Sequence, residues 1–217
     1  MKNYFIVGLI LMLGIVSCKK EETADPAPEK PVNYMPLTTG SYWVYDTYSI
    51  DSTGKEILFR ENDTITIVGD TVLNGKTHKI FHGIYVSDAY RKKYYRDSSG
   101  CILLNNKVIF NSNNFTDTLY KKVEYISDKV WFTSYILMKK VDKSVIVPAG
   151  NYDNILNANL ILEVNDSLKT KMSFNKIYAS ETGLILEQYA WVAEYLQKKK
   201  YYERRLKSFF IAKNNED

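Results

Sequence analysis

A chain of 217 residues, 45% hydrophobic and 25% charged, has the proportions of a folded protein and the length of one domain with a core of its own. Its formal charge of +4 arises from 29 basic and 25 acidic residues with no dense Arg/Lys stripe, which argues against nucleic acid as a partner. With only two cysteines, Cys18 and Cys101, no disulfide framework holds the domain, so burial must do it.

Lys2 gives the start of the chain a positive charge, residues 4–16 form an apolar run, and Ile15-Val16-Ser17-Cys18 closes it. That is the order of a secretory signal: charged end, apolar stretch, small-residue cleavage site. The run is also shorter than the about 20 residues a spanning helix needs. An ordinary cleaved signal and an uncleaved anchor are the alternatives. Ile15-Val16-Ser17-Cys18 resembles the lipobox of bacterial lipoproteins. The resemblance implies removal of residues 1–17, diacylation of Cys18 and then N-acylation of the new terminus, with palmitate-type chains. It implies an outer-membrane lipoprotein of the cell envelope, facing the periplasm or the cell surface, whose one non-protein group is the lipid on Cys18.

Residues 18–36 change character. Lys19-Lys20-Glu21-Glu22 is followed by Thr23-Ala24-Asp25-Pro26-Ala27-Pro28-Glu29-Lys30-Pro31, where proline and charge leave nothing to bury. This composition predicts an extended, flexible tether holding residues 37–217 off the headgroups. Lys19-Lys20-Glu21-Glu22 also resembles the surface-export signal of Bacteroidota lipoproteins, against the plainer reading of a solvated linker.

From Leu37 onward the pattern has period two. Leu156, Ala158, Leu160, Leu162 and Val164 alternate with Asn157, Asn159 and Glu163, with Ile161 the exception. Leu168, Thr170, Met172 and Phe174 alternate with Lys169, Lys171, Ser173 and Asn175. Such alternation marks strands with one buried face, and Asn165-Asp166-Ser167 between them predicts a hairpin. Ser52-Thr53-Gly54-Lys55, Asn74-Gly75, Ser98-Ser99-Gly100 and Asn105-Asn106 read as further turns. Strands are predicted around Leu119–Tyr125 and Val130–Met138. Good helix formers cluster near 190–200, but Tyr201-Tyr202 and Phe209-Phe210 favour strand, so a last hairpin turning near 197–199 is expected. The 18 tyrosines suit a half-buried sheet, ring inside and hydroxyl at the rim. The expected fold is all-β with little helix: a single antiparallel meander, as a curved sheet or half-open barrel.

Met35-Pro36-Leu37-Thr38-Thr39-Gly40-Ser41-Tyr42-Trp43-Val44-Tyr45 resembles the opening of many uncharacterised Bacteroidota lipoproteins. Val147-Pro148-Ala149-Gly150-Asn151-Tyr152, and Tyr178-Ala179 followed by Gly183-Leu184-Ile185-Leu186, resemble later landmarks of the same group. The resemblance covers most of 37–211 and implies a domain of unknown function with a curved antiparallel sheet, distantly like periplasmic lipoprotein carriers. It implies fold and place, and carries over no catalytic residue.

The chemical motifs are sparse. His78 and His82 stand four apart on a predicted strand, where that spacing spans roughly 13 Å, too far for one zinc. Neither a His-Glu-x-x-His motif nor a calcium loop is present, and no metal is expected. There is no Gly-x-Ser-x-Gly elbow or phosphate-cradling loop, and Cys101 reads as a structural thiol beside a turn. Asp46, Glu124, Glu163, Asp166 and Glu187 offer carboxylates that could pair for glycoside hydrolysis, as any chain with 25 acids would. No enzyme is indicated. Asp63-Thr64-Ile65, Asp70-Thr71-Val72, Asp117-Thr118-Leu119 and Asp166-Ser167-Leu168 resemble the Bacteroidota O-glycosylation signal, a tripeptide that turn-to-strand junctions also generate by chance.

Trp43, Tyr45, Trp131 and Trp191 are the candidate ligand-binding residues, as a lining for a lipid-like ligand or a stacking surface for a glycan; the plainer reading is core. Two functions follow. One is an envelope lipoprotein whose β-domain binds an apolar or amphipathic ligand on its concave face. The other is a structural or interaction module presenting a rigid β-domain to another envelope protein or a glycan.

Overall fold

The computed structural model describes residues 32–84 and 90–213; the signal, Cys18 and most of the tether lie outside them. The described residues form fifteen strands and one short helix. The first half of the domain contributes β1 (Tyr42–Ile50), β2 (Glu56–Leu73), β3 (Lys76–Ile84), β4 (Tyr90–Ser98), β5 (Cys101–Leu104) and β6 (Lys107–Asn111). β7 (Tyr120–Ile126), β8 (Lys129–Lys140), β9 (Val145–Val147), β10 (Gly150–Tyr152) and β11 (Ile155–Val164) follow. The chain ends with β12 (Lys171–Phe174), β13 (Lys176–Ala179), β14 (Gly183–Tyr189), α1 (Val192–Lys198) and β15 (Tyr201–Phe210).

The turns read from sequence are where the chain reverses. Asn74 and Gly75, Ser99 and Gly100, and Asn105 and Asn106 all take positive φ, the conformation of the two-residue turns that match strand twist. Between β14 and β15 the expected hairpin forms, but α1 is inserted before the reversal and Lys199, at φ 52°, ends it. Residues 192–198 thus keep the helical propensity that the flanking aromatics outweighed in the sequence.

The large sheet runs β6-β5-β4-β3-β2-β1-β15-β14-β13-β11-β8-β7, with β12 also paired to β11. Around this path the strands follow one another in chain order, apart from the separate β9–β10 hairpin, and first and last strands pair. The meander is therefore a ring, and its hydrogen-bonded ladder is open between β6 and β7. Side chains bridge that opening: Lys107 Nζ donates to the Tyr120 hydroxyl at 3.1 Å, and Phe110 packs with Ile136.

A ring of twelve strands has room for a ligand if it stays round. Here the walls meet inside. Phe110 of β6 lies 4.8 Å, centroid to centroid, from Tyr178 of β13, and Trp43 of β1 stacks on Phe81 of β3 at 5.7 Å. One core cluster joins Trp43, Tyr45, Ile67, Phe81, Ile185 and Leu206; a second joins Ile102, Phe110, Met138, Leu156 and Tyr178. A third cluster gathers Leu162, Val164, Met172 and Phe174 beneath Val192 and Tyr195 of α1. Among the described residues, the strands and the three clusters give 32–213 a hydrophobic core of its own.

Residues 33–36, the last of the stretch the sequence assigns to the tether, lie on the body as a strap. Glu181 N–H donates to the Asn33 carbonyl at 2.6 Å, and the Tyr34 hydroxyl donates to Asn154 Oδ1 at 3.0 Å. Tyr34 also packs on Phe110 at 5.3 Å, Met35 touches both larger core clusters, and Pro36 is buried. The strap spans from the β5–β6 arm to the β13–β14 turn.

Candidate functional site

Alternation along β14 and β15 sends Ile185, Glu187 and Tyr189, and Tyr202, Arg204 and Leu206, into the buried face of the ring. Cross-strand register sets Glu187 opposite Arg204 and, on its other side, Lys176 of β13 opposite Glu187. A charged cluster is thereby built into an apolar interior. Arg204 Nη2 donates to Glu187 Oε2 at 2.6 Å, and Lys176 Nζ lies 2.8 Å from Glu187 Oε1. The Arg204 guanidinium stacks 4.4 Å over the Tyr45 ring, a favourable cation–π contact where water is excluded.

The electrostatics are lopsided. Burial alone would raise the Glu187 carboxyl, but the fields of Lys176, Arg204 and Lys93 overcome it and hold it well below the usual carboxylate range. Burial pushes the half-buried Lys93 ammonium of β4 down to about 7; Glu187 opposes this, and Lys176, Arg204 and Arg91 add to it. Burial likewise pushes the Tyr45 and Tyr178 hydroxyls above their ordinary value. One carboxylate thus faces three basic side chains.

The polar inventory is incomplete at this point. Arg204 is only 3% exposed, yet its Nε and Nη1 have no partner among the described residues, and neither does the nearby Tyr189 hydroxyl. Such orphaned buried donors are uncommon, because each forfeits its bond to water. Arg204 lines a cavity of about 40 Å³ walled by Trp43, Tyr45, Phe81, Tyr95 and Tyr178, with Met35 of the strap and Leu184 at its edge. The Trp43 indole donates to the Thr182 carbonyl at 2.6 Å and the Tyr45 hydroxyl to the Leu184 carbonyl at 2.8 Å, so these two lining groups are spoken for. Gly183, at φ 98°, lets the chain pass beside Trp43, where a Cβ would stand 3.4 Å from the indole nitrogen.

Of the four aromatic candidates, the fold brings Trp43 and Tyr45 to this cavity. Trp131 packs instead with the third cluster, edge-on to Phe132, and Trp191 lies 40% exposed with its edge on Tyr202. Cys18 lies outside the described residues. His78 is buried, Nδ1–H donating to the Lys76 carbonyl at 2.8 Å and Nε2 standing 3.0 Å from the Asn106 side chain. His82 is on the same strand, β3, four residues on. Among the described residues no three His, Cys, Asp or Glu side chains are grouped to hold a metal. Cys101 opens β5, half-buried, opposite Ser98 and Asn111.

The carboxylates singled out in the sequence do not converge. Asp46 accepts from the Asn62 N–H and pairs with Lys207, Glu163 accepts from the Tyr135 hydroxyl, Asp166 closes its own turn with Thr170, and Glu124 pairs with Lys122. Glu187 alone of these sits in the charged cluster. Sequence reasoning did not reach Arg204, Lys176 or Lys93. The available signal was parity: once Ile185 and Tyr189 are read as inward, Glu187 is inward too.

Fold and site together define a nearly closed antiparallel β-ring with a small internal cavity of aromatic walls and one guanidinium. No family model matches the chain, and no curated protein matches it. Among solved structures, the chain is similar to a candidate lipoprotein of Parabacteroides distasonis ATCC 8503, at 12% identity and a TM-score of 0.43 over 82% of this chain and 99% of that one. It is also similar to a candidate exported protein with a YmcC-like fold from Bacteroides fragilis NCTC 9343, at 11% identity and a TM-score of 0.42 over the same shares.

Proposed function

We propose that the chain is a non-enzymatic, lipid-anchored lipoprotein of the cell envelope whose β-ring binds an amphipathic ligand in its interior. The signal pattern and Cys18 support the anchoring and the envelope location. The cavity supports the binding: aromatic walls around one guanidinium with free donors suit a molecule that is apolar along most of its length and polar at one end. At about 40 Å³ the cavity accepts only the polar end as it stands. The rest of a ligand requires Met35 and the strap to move aside. The filled core favours the second reading, an interaction module, which the exposed Ile57, Phe59, Trp191 and Phe210 would serve.

Native mass spectrometry of residues 32–217, exported and purified without detergent, separates the two. An adduct of lipid-like mass that leaves on activation is the expected result. A clean mass, with no uptake when lipids are added, rejects internal binding and directs the search to a protein partner or a glycan.

A further inference from the structure

We infer that the internal cavity is a carboxylate site, in which Arg204 receives the acidic head of the ligand; this rests on the reading of the ring interior as a binding space. Two observations carry it. Arg204 is buried against the cavity with Nε and Nη1 unpartnered, although Nη2 is engaged by Glu187. The surrounding charge is unbalanced, with Lys176 and Arg204 both paired to the single carboxylate of Glu187. An anion corrects both defects at once, supplying acceptors and neutralising charge in a low-dielectric place.

At roughly 10–15 Å³ per water, the cavity of about 40 Å³ has room for about three water-sized positions, enough for a carboxylate head. Nε and Nη1 lie on different edges of the guanidinium, so a carboxylate oxygen takes one and a water takes the other. Met35 and Leu184 line the same cavity, so a hydrocarbon tail leaves it toward the strap.

The test titrates acetate and myristate, each carbon-13 labelled at the carboxyl, into residues 32–217 at constant ionic strength and follows the carboxyl resonance. Wild type is compared with Arg204→Met and Glu187→Gln. Expected is saturable binding that weakens on the order of tenfold or more in Arg204→Met and tightens in Glu187→Gln, because the latter frees Arg204 from its competitor. A pocket that merely tolerates ligands moves the same way in both. Should Arg204→Met not fold, the gain in Glu187→Gln decides alone. Myristate following this pattern upholds both the carboxylate site and the amphipathic ligand. Acetate alone following it upholds the site and overturns the amphipathic ligand. Myristate binding that ignores both substitutions leaves the amphipathic ligand standing and overturns the site. No saturable binding by either probe overturns both, with water as the occupant.

Discussion

The wall formed by β11 to β15 carries buried polar groups on both of its faces, and the two sets are built differently. On one face, Asn159 donates to Ser173 Oγ and the Phe174 carbonyl, Asn157 donates to Asn175 Oδ1, and Gln188 donates to Glu203. Asn157 also accepts from the Lys176 N–H, and Gln188 from the Asn175 N–H. That network spans the irregularity at Asn175, where β11 passes from β12 to β13, and its buried groups are answered from within the chain. On the other face, Arg204 and Tyr189 keep donors with no acceptor. The first set fixes the register of strands. The second stores unmet hydrogen bonding, which is what a binding site has and a structural network lacks.

The contrast is easiest to break with Asn159→Leu. It removes the donor that the buried Phe174 carbonyl accepts from and the contacts to Ser173 and Asn175, and should destabilise by about 2–3 kcal/mol in urea unfolding. Met35→Ala should follow at about 1–2 kcal/mol, the loss of a half-buried side chain from both larger clusters, and should raise uptake of an amphipath by widening the cavity. Arg204→Met should cost about 1–2 kcal/mol, short of the roughly 3–5 kcal/mol of stranding a buried charge, because Lys176 still pairs Glu187 and an apolar side chain suits the aromatic walls. If it costs as much as Asn159→Leu, the guanidinium is a structural member like the asparagines, and the distinction between the faces collapses.

The last effect is a slope. The Lys93 ammonium titrates near 7 in the folded protein and near 10.5 in the unfolded chain, so between those values the unfolded state holds more protons. Its contribution to stability therefore rises with pH from about 7 toward 10. Denaturant midpoints across that window should climb in the wild type and flatten in Lys93→Met. A bound carboxylate should shift the climb to higher pH.

The ring was largely legible in the sequence because its information is local. Period-two runs such as 171–174 and positive-φ turns such as Asn74-Gly75 and Asn105-Asn106 fix strands and reversals from neighbours alone, although Leu168, expected on the buried face of that run, lies 85% exposed in the turn before it. Closure was not legible, since pairing of β1 with β15 joins residues at opposite ends of the domain. The site was hidden by the same alternation that revealed the strands. In Tyr201-Tyr202-Glu203-Arg204-Arg205-Leu206 the charged residues look outward, and only the companionship of Arg204 with Tyr202 and Leu206 betrays that one of them points in. Likewise Asn157 and Asn159 occupy the polar phase of their strand and are nevertheless buried, because hydrogen bonding to Ser173 and Asn175 meets the need that water would otherwise meet.

The strap adds a mechanical consequence. β1 is gripped along its length by hydrogen bonds to β2 and β15, an arrangement that loads many bonds at once when pulled along its axis. Residues 33–36 are held by a few isolated contacts, chiefly Asn33 with Glu181 and Tyr34 with Asn154. Tension entering the domain at residue 32 reaches those contacts one at a time and before it reaches β1. The cover of the cavity is the weakest link in series with that load, so a pull on the amino-terminal side would uncover the interior while leaving the ring intact.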